Sequence, residues 1–345
     1  MKLTILFGGA SFEHEISIVS AITLKEKLSN FDLTFVFCSP QHDFYLIDEK
    51  KMQATTFSSY EYKKMPLLSL SKDGFSYKKL LGSVTFNHTV LNLIHGGDGE
   101  DGVIAGLFDF YNIAYIGPRK AASVFSFDKL YTKYLAQARD VKALDYEVVY
   151  KNEVKNIQTP FPVIVKPATL GSSIGVSIVK DENELDYALD VAFEFDEVVV
   201  IEPFIANVKE YNLAGYFAKG ELHFSIVEEP HKEEFLDFEK KYMDFSRSSA
   251  VAKADISEAL EQKLKANFQK LYVNLFEGAL IRCDFFVIEN EVYINEINAI
   301  PGSMANYLFE NFSSAIESLS ISLPKSRKID VNYEYIHSIS AAKGK

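Results

Sequence analysis

The sequence of 345 residues contains no tryptophan, only two cysteines and no long uninterrupted apolar run. A membrane-spanning helix needs about 18 consecutive apolar residues, so the sequence predicts no such helix. Two cysteines are too few for a disulfide framework, and Cys38 and Cys283 each lie in an apolar, strand-like run. We therefore predict two buried free thiols in a cytoplasmic protein, because the amino terminus also lacks the pattern of a signal peptide.

Positive charge is also scarce relative to negative charge. Lysine and arginine number 36 against 48 aspartates and glutamates, which gives a formal net charge of −12. This excess argues against a protein that binds nucleic acid or an anionic membrane, although it still allows a local cationic pocket. Apolar residues make up 48% of the chain, which excludes a long disordered protein. At about 150 residues per domain, the length suggests two or three domains.

The first part of the chain alternates apolar strands with helical periodicity. The predicted elements are a strand over residues 3–7, a helix over 13–28, strands over 33–37 and 89–94, and a glycine-rich loop over 95–102. This order predicts a parallel α/β sheet. We place the first domain boundary at the Gly117-Pro118 turn.

The remaining chain changes to an α+β pattern. The predicted helices cover residues 120–139, 182–193 and 257–276, and the predicted strands cover 163–165, 176–179, 198–201, 211–217, 222–227, 278–288 and 291–297. We therefore predict domains over residues 1–117, 118–202 and 203–345. The charged, aromatic stretch over about residues 228–250 has no clear period and is long enough for a functional loop, which we predict to be a lid.

The strongest chemical signal is the segment IRCD followed by NEIN, each in a predicted strand. Side chains alternate between the faces of a strand, so Arg282 and Asp284 share one face. Glu296 and Asn298 likewise share one face of their own strand. A three-residue loop centred on Asn290 would place Asp284 opposite Glu296. The same register would place Arg282 opposite Asn298.

Two opposed carboxylates and an amide oxygen form a donor set that suits Mg²⁺. The alternative is a surface salt bridge at the edge of a sheet. A metal fits better, because opposed carboxylates repel each other and one arginine compensates only part of their charge.

Candidate phosphate contacts follow a second strand. Lys166 ends an apolar strand beside the loop over residues 171–175, where it could bind triphosphate oxygens or be a solvated lysine of a hairpin turn. The loop lacks the spacing of a Walker motif. Lys129 and Lys241 are further candidates, and for each the alternative is an ordinary surface lysine.

Two more features of the first domain admit alternatives. The carboxylates that follow Gly8-Gly9 would either recognise a cationic substrate group or interact with the helix dipole. The sequence around them lacks a dinucleotide-binding fingerprint. His95, in the glycine-rich loop, could be a ligand, a base or a polar loop residue.

Together these segments resemble the D-alanine–D-alanine ligase family of the ATP-grasp superfamily. The motifs that carry the resemblance are, in order, FGGASFEHEIS, HGGDGEDG, FPVIVKPATLGSSIGVS, IRCDFFV and INEINAIPGS. They cover nearly the whole chain. The resemblance implies an ATP-grasp fold of class α/β and α+β, in which ATP is held between the antiparallel sheets of the second and third domains.

The resemblance also implies roles for individual residues. Its nucleotide contacts are Lys129, Lys166, Gly171, Ser172, Ser173, Glu202, Phe204, Ile205, Glu210 and Lys241. Asp284, Glu296 and Asn298 would hold two Mg²⁺ ions, with Mn²⁺ as an alternative.

Substrate contacts implied by the resemblance are Glu15, His95, Ser172, Arg282 and Gly302. Glu15 would receive the ammonium group of the first D-alanine, and Arg282 would face the reacting carboxyl group. Tyr242 would bond to Glu15 and Ser172 and latch the lid. Two positions depart from the family pattern: Tyr307 stands where relatives carry a serine that contacts the second substrate, and Phe204 stands where some carry tryptophan.

The activity so implied is the ATP-dependent ligation of two D-alanine molecules through an acyl phosphate, for peptidoglycan synthesis, by a homodimer. Neither step requires a protein nucleophile; each requires negative charge to be neutralised in a dry site. The alternatives are another ATP-grasp carboxylate–amine ligase, a D-alanine–D-lactate ligase, and a non-catalytic nucleotide-binding module. The retained arginine argues against the last, because a sensor could bind nucleotide without it.

Overall fold

A computed structural model describes residues 1–153, 157–230, 251–325 and 329–342. Within these ranges the chain forms three β-sheets of eight, four and five strands, with helices packed against them. No helix in the same ranges is long and apolar enough to span a bilayer.

The first sheet is parallel at one end and antiparallel at the other. Its strands are β1 (Lys2–Gly8), β2 (Asp32–Cys38), β3 (Phe44–Ile47), β4 (Leu67–Ser71), β5 (Gly74–Lys78), β6 (Ser83–Phe86), β7 (Thr89–Asn92) and β8 (Tyr115–Ile116). They lie in the order β6-β5-β4-β3-β2-β1-β7-β8, and β2, β1, β7 and β8 are parallel. The parallel part confirms the predicted α/β sheet, whereas the antiparallel extension has no counterpart in the prediction.

Three helices belong to this first region: α1 (His14–Lys27), the short α2 (Ala54–Ser58) and α3 (Val103–Tyr111). Helix α1 buries its apolar side chains against the sheet, which confirms the predicted helix. Its first turn begins immediately after Glu13, so the acidic residues of this segment lie at the carboxyl end of β1. The carboxyl ends of parallel strands are the usual place for a ligand site in such sheets.

The predicted helix over residues 120–139 is two helices, α4 (Lys120–Phe127) and α5 (Lys129–Ala138). Asp128 between them has an extended backbone, and its carboxylate accepts a hydrogen bond of 2.7 Å from the backbone N–H of Leu130. An aspartate at this position stabilises the start of a new helix. The break places Lys129 in the first turn of α5.

The second sheet is antiparallel and carries one helix. Its strands are β10 (Glu147–Tyr150), β11 (Val163–Pro167), β12 (Ser177–Val179) and β13 (Val198–Pro203), in the order β10-β13-β11-β12, and the helix is α6 (Glu182–Phe193). The bounds of α6 agree with the prediction. Leu189 of the helix packs with Val163 and Val199 of the sheet in a buried core.

The third sheet holds the hairpin predicted from IRCD and NEIN. Its strands are β9 (Lys142–Ala143), β14 (Lys209–Ala218), β15 (Glu221–Glu228), β16 (Leu280–Ile288) and β17 (Glu291–Asn298), in the order β15-β14-β16-β17-β9. The short β9 pairs parallel to β17, so this sheet is antiparallel except at that edge. Helix α7 (Glu258–Tyr272) covers one face with Leu264, Phe268 and Leu271.

The segment Gly302–Leu308 follows the third sheet and packs against α1, and its residues Ser303, Met304 and Ala305 have positive φ angles. Helices α8 (Phe312–Ile321) and α9 (Glu334–Ala342) come after it. The backbone N–H of Ser303 donates to the hydroxyl of Ser20 on α1 at 3.0 Å. Leu24, Leu280 and Met304 belong to one buried core that joins the first and third sheets. This shared core holds the two sheets together around the cavity described below.

The two cysteines are buried and unpaired, as predicted. The predicted domain boundaries near residues 117 and 202 stay a prediction.

Candidate active site

A cavity of about 260 Å³ lies where the three sheet regions meet. Its walls come from the loops that follow β1 and β7, from the start of α5, from the loop between β11 and β12, and from the hairpin of the third sheet. The predicted site residues in its lining are His95, Lys129, Gly171, Ser172, Glu210, Arg282, Asp284, Glu296, Asn298 and Gly302. Residues far apart in the sequence thus converge on one space.

The register of the β16–β17 hairpin agrees with the prediction. Asp284 pairs with Glu296, and Arg282 pairs with Asn298. The reason differs from the predicted three-residue loop. The turn contains only two residues, Glu289 and Asn290, with φ angles of 51° and 66°, which is the left-handed geometry of a tight hairpin turn.

A bulge in β17 supplies the missing residue of the register. The pairing steps from Asp284 opposite Glu296 to Phe285 opposite Ile294, so Asn295 is extra. A two-residue turn and one bulged residue shift the strand as much as the predicted loop would have done.

Arg282 and Asp284 form a bidentate ion pair inside the cavity. The Nε and Nη2 atoms of Arg282 lie 2.7 Å and 2.8 Å from the two carboxylate oxygens of Asp284. Burial raises the pKa of Asp284 to about 7, with Arg282 opposing that rise and Glu296 adding to it. The Nη1 atom of Arg282 lies 3.3 Å from the hydroxyl of Tyr307. Tyr307 therefore lies beside Arg282 in the cavity lining.

Asn298 joins the two carboxylates. Its Nδ2 atom donates to Asp284 at 3.0 Å and, at 3.5 Å, to Glu296. The predicted metal ligands are therefore adjacent, with two carboxylates and one amide. Within the described ranges there is no cluster of three or more His, Cys, Asp or Glu side chains that could hold a metal by itself.

The structure places Glu13, and not Glu15, in the cavity lining. Glu15 is exposed on α1, whereas Glu13 is buried and lines the cavity. The hydroxyl of Ser172, another predicted substrate contact, donates to Oε1 of Glu13 at 2.6 Å. Both residues occur in the motif FEHE, and only the start of α1 after Glu13 decides which of them faces inward.

Glu13 has a close neighbour in the loop after β11. A Cβ atom on Gly171 would lie 2.9 Å from Oε1 of Glu13, so the glycine allows this close approach. Ser172 and Ser173 have φ angles of 54° and 59° and form a tight turn that directs the Ser172 hydroxyl towards Glu13. Burial raises the pKa of Glu13, and the hydrogen bond from Ser172 opposes the rise.

His95 is buried at the cavity wall. Its Nδ1 atom lies 2.6 Å from the carbonyl oxygen of Leu93, and the backbone of Pro301 also interacts with the ring. Burial lowers its pKa to about 4, so the ring is neutral near neutral pH. A neutral histidine is suited to a hydrogen bond with a ligand rather than to a permanent positive charge.

Glu100 lines the cavity and is a residue that sequence reasoning missed. Its carboxylate accepts hydrogen bonds from the backbone N–H groups of Gly96, at 2.7 Å, and Ile300, at 3.2 Å. Burial raises its pKa to about 8, and the Glu13 carboxylate adds to this rise. The glycine-rich loop HGGDGEDG contains several acidic residues, and nothing in its pattern distinguishes Glu100 from the others.

The cationic residues have specific partners. The Nζ group of Lys129 donates to the carbonyl oxygen of Leu170, just before the loop over residues 171–175. Lys166 lies 2.5 Å from Oε2 of Glu202. Lys166, Glu202, Phe204 and Ile205, together with Ser173, do not belong to the cavity lining. Lys241, Tyr242 and most of the predicted lid lie outside the described residues.

The cavity lining is strongly acidic. Its described acidic residues are Glu13, Glu100, Glu210, Glu228, Asp284 and Glu296, against the basic residues Lys129 and Arg282. This excess favours positively charged ligands, because buried carboxylates close to one another are unfavourable unless cations or protons compensate their charge.

Comparisons with known proteins identify the family. The model described as D-ala D-ala ligase N-terminus matches residues 2–118, and the model described as D-ala D-ala ligase C-terminus matches residues 132–316. The chain is 66% identical over its full length to all of the D-alanine–D-alanine ligase of Sulfurimonas denitrificans. It is 58% identical, also over its full length and that of the relative, to the D-alanine–D-alanine ligase of Sulfurovum.

The fold also matches that of a solved structure. The crystal structure of D-alanine–D-alanine ligase from Helicobacter pylori matches with a TM-score of 0.84 and 50% sequence identity, over 95% of this chain and 100% of that one. This match confirms the predicted ATP-grasp fold. The chain belongs to the D-alanine–D-alanine ligase family.

Proposed function

We propose that this chain joins two D-alanine molecules into D-alanyl-D-alanine at the expense of ATP. The carboxylate of the first D-alanine attacks the γ-phosphate, which forms an acyl phosphate and ADP. The amine of the second D-alanine then attacks the acyl carbon, and inorganic phosphate leaves. The product serves peptidoglycan synthesis, and we expect the reaction in the cytoplasm, where ATP is available.

The observation that carries this proposal is the convergence of unlike groups on one acidic cavity within a chain of this family. Glu13 and its partner Ser172 lie at one wall, and Arg282 with Asp284 and Glu296 lies at another. An amino acid carries both an ammonium group and a carboxylate. The cavity therefore offers a carboxylate, that of Glu13, to the ammonium group, and a guanidinium, that of Arg282, to the carboxylate.

The residues in and near the cavity have separate roles. We assign Glu13, in place of Glu15, to the ammonium group of the first D-alanine, with Ser172 fixing its carboxylate. Arg282 stabilises the negative charge that develops on the reacting carboxyl group. The neutral His95 is assigned to a substrate because it lines the cavity, and the Gly302 backbone faces the second D-alanine. Lys129 and Lys166 are assigned to phosphate oxygens.

The donor set at the hairpin fits Mg²⁺. Asp284, Glu296 and Asn298 supply only oxygen ligands, if the Asn298 amide presents its oxygen, and Mg²⁺ completes its coordination with phosphate oxygens. Two divalent ions would also compensate the negative charge of the cavity lining, which would otherwise repel a highly anionic nucleotide. When bound, such ions neutralise charge on the phosphates. Mn²⁺ suits the same ligands.

The test is a reaction with the full-length protein. Incubation with ATP, Mg²⁺ and D-alanine should release ADP and phosphate in equal amounts, with D-alanyl-D-alanine identified by mass spectrometry. L-alanine is the matched control and should release neither. ATP hydrolysis without a dipeptide product would contradict the proposal.

A second candidate function is the formation of a depsipeptide from D-alanine and D-lactate. The observation that bears on it is Tyr307, a departure from the family pattern, whose hydroxyl lies 3.3 Å from Arg282. Equal concentrations of D-alanine and D-lactate in one reaction distinguish the two, because the product mixture reports which second substrate is preferred. The sequence favours the dipeptide through Tyr242. A homodimer is proposed from the family resemblance.

A further inference from the structure

A second lysine of α5 lies deeper than Lys129. Lys133 follows Lys129 by four residues, so both lie on the same face of the helix. Only 4% of the Lys133 side chain is exposed. Its Nζ group contacts Oε1 of Glu202, donates to the carbonyl oxygen of Leu144 at 3.3 Å and lies 5.1 Å from the centre of the Tyr146 ring. The motifs of the sequence did not single it out.

Glu202 is shared between two lysines. One carboxylate oxygen contacts Lys133, and the other lies 2.5 Å from Lys166. The exposed fractions of the Glu202 and Lys166 side chains are 4% and 12%. Burial alone would raise the pKa of Glu202, but the two ammonium groups lower it to about 2. Glu202 is therefore a buried carboxylate that stays charged.

This sharing has a consequence for nucleotide binding. Lys166 is assigned to phosphate oxygens, but its ammonium group is bound to Glu202. When it turns to a phosphate, Glu202 loses one of its two partners. A buried carboxylate without a cation is strongly unfavourable, whereas a carboxylate that keeps one cation remains paired. Lys133 is placed to remain with Glu202 when Lys166 turns away.

We propose that Lys133 is a positioning residue of the nucleotide site. By keeping Glu202 paired, it makes Lys166 available to the phosphates of ATP. This inference rests on the proposed function for the assignment of Lys166 to the nucleotide. It predicts that Lys133 acts through Glu202 and has no effect of its own on the KM values for D-alanine.

The test uses the substitution Lys133→Met, which keeps the length and apolar volume of the side chain but removes its charge. Titration calorimetry of the full-length protein with MgADP should show an affinity at least about 10-fold weaker than that of the wild type, as expected when one partner of a buried charge pair is lost. The KM for ATP should rise by a similar factor, while the KM values for D-alanine stay unchanged. Lys142→Met is the matched control, because Lys142 is an exposed lysine paired with Glu291.

The dependence on Glu202 is tested by a double-mutant cycle. If Lys133 acts only through Glu202, Lys133→Met should change MgADP affinity by less than about 3-fold when Glu202 is already glutamine. This comparison also decides the matter if Lys133→Met alone fails to fold, since the double variant leaves no buried unpaired carboxylate. The same loss of affinity in both backgrounds would overturn the proposal.

A purely structural role gives a different result. Lys133→Met would then lower the unfolding temperature while its MgADP affinity stays that of the wild type, and this outcome would also overturn the proposal. Binding of MgADP is measured without D-alanine. A wild-type protein that makes no dipeptide but shows the predicted cycle would therefore refute the proposed function and leave the role of Lys133 intact.

Discussion

The assignment of the substrate ammonium group to Glu13 is open to a direct test, because Glu15 provides a matched control two residues away. Both residues are changed to glutamine, which keeps the shape of the side chain and removes its charge. Glu13 is 6% exposed and accepts a hydrogen bond from Ser172 at 2.6 Å, whereas Glu15 is exposed. The two substitutions therefore differ mainly in whether the lost charge faces the cavity.

The expected magnitude follows from the interaction that is lost. A hydrogen bond to a charged group contributes about 1.5–3 kcal/mol. At about 1.4 kcal/mol per factor of ten, its loss lowers kcat/KM for the first D-alanine by about 10- to 150-fold. Glu15→Gln removes an exposed charge and should change kcat/KM by less than about 2-fold.

The unfolding temperature distinguishes a loss of substrate binding from a loss of folding. Burial raises the pKa of Glu13, and Glu13 in turn contributes to the raised pKa of Glu100. Removal of one of two neighbouring buried carboxylates relieves repulsion, so the unfolding temperature of Glu13→Gln should not fall below that of the wild type.

The assay is the initial rate of ADP release at varied D-alanine, with unfolding followed by circular dichroism. The reasoning is refuted if Glu15→Gln loses activity while Glu13→Gln keeps it. It is also refuted if both variants retain wild-type kcat/KM.

Three further predictions concern other parts of the site and the core. Arg282→Ala should lower kcat by about 10²- to 10³-fold, and an unchanged rate would remove Arg282 from the reacting centre. Glu296→Gln should raise the Mg²⁺ concentration needed for half-maximal activity, so an unaltered titration would count against the predicted metal site. Burial raises the pKa of Cys38 to about 12 and that of Cys283 well above its usual value, so a disulfide reagent should modify both thiols slowly in the native protein and rapidly after unfolding.

Much of the fold could be predicted because its strands are short apolar runs bounded by glycine, proline or charged residues. The helix over Glu182–Phe193 and the pairing of Asp284 with Glu296 agree with the prediction. The strands β3 to β6 were missed because they form an antiparallel extension with few fully buried residues, as the mixed burial of Leu67–Ser71 shows. A weak alternation of this kind is difficult to distinguish from a loop.

The differences between the predicted site and the cavity have physical causes. The choice between Glu13 and Glu15 depends on the residue at which α1 begins, and helix boundaries are the least certain feature of a sequence pattern. The break at Asp128 depends on one capping hydrogen bond. Lys133 was missed because its partner Glu202 is distant in the sequence and its helical pattern alone resembles that of a surface lysine.

Three pairs in the described part of the site share one arrangement. Ser172 contacts Glu13, Lys166 contacts Glu202, and Arg282 contacts Asp284. In each pair, at least one member is assigned to a substrate, the nucleotide or a metal. Ligand binding would then exchange an internal partner for an external one, instead of occupying groups that are free.

This arrangement affects how substitutions at the site are interpreted. Removal of Arg282 leaves Asp284 buried without its bidentate partner, so a loss of activity contains both the missing guanidinium and the altered carboxylate. Because burial already raises the pKa of Asp284 to about 7, the loss of Arg282 removes an opposing influence and favours the protonated acid further. The effects of Arg282→Ala and Asp284→Asn should therefore be less than additive in kcat, and a double variant whose losses simply multiply would show that the two residues act independently.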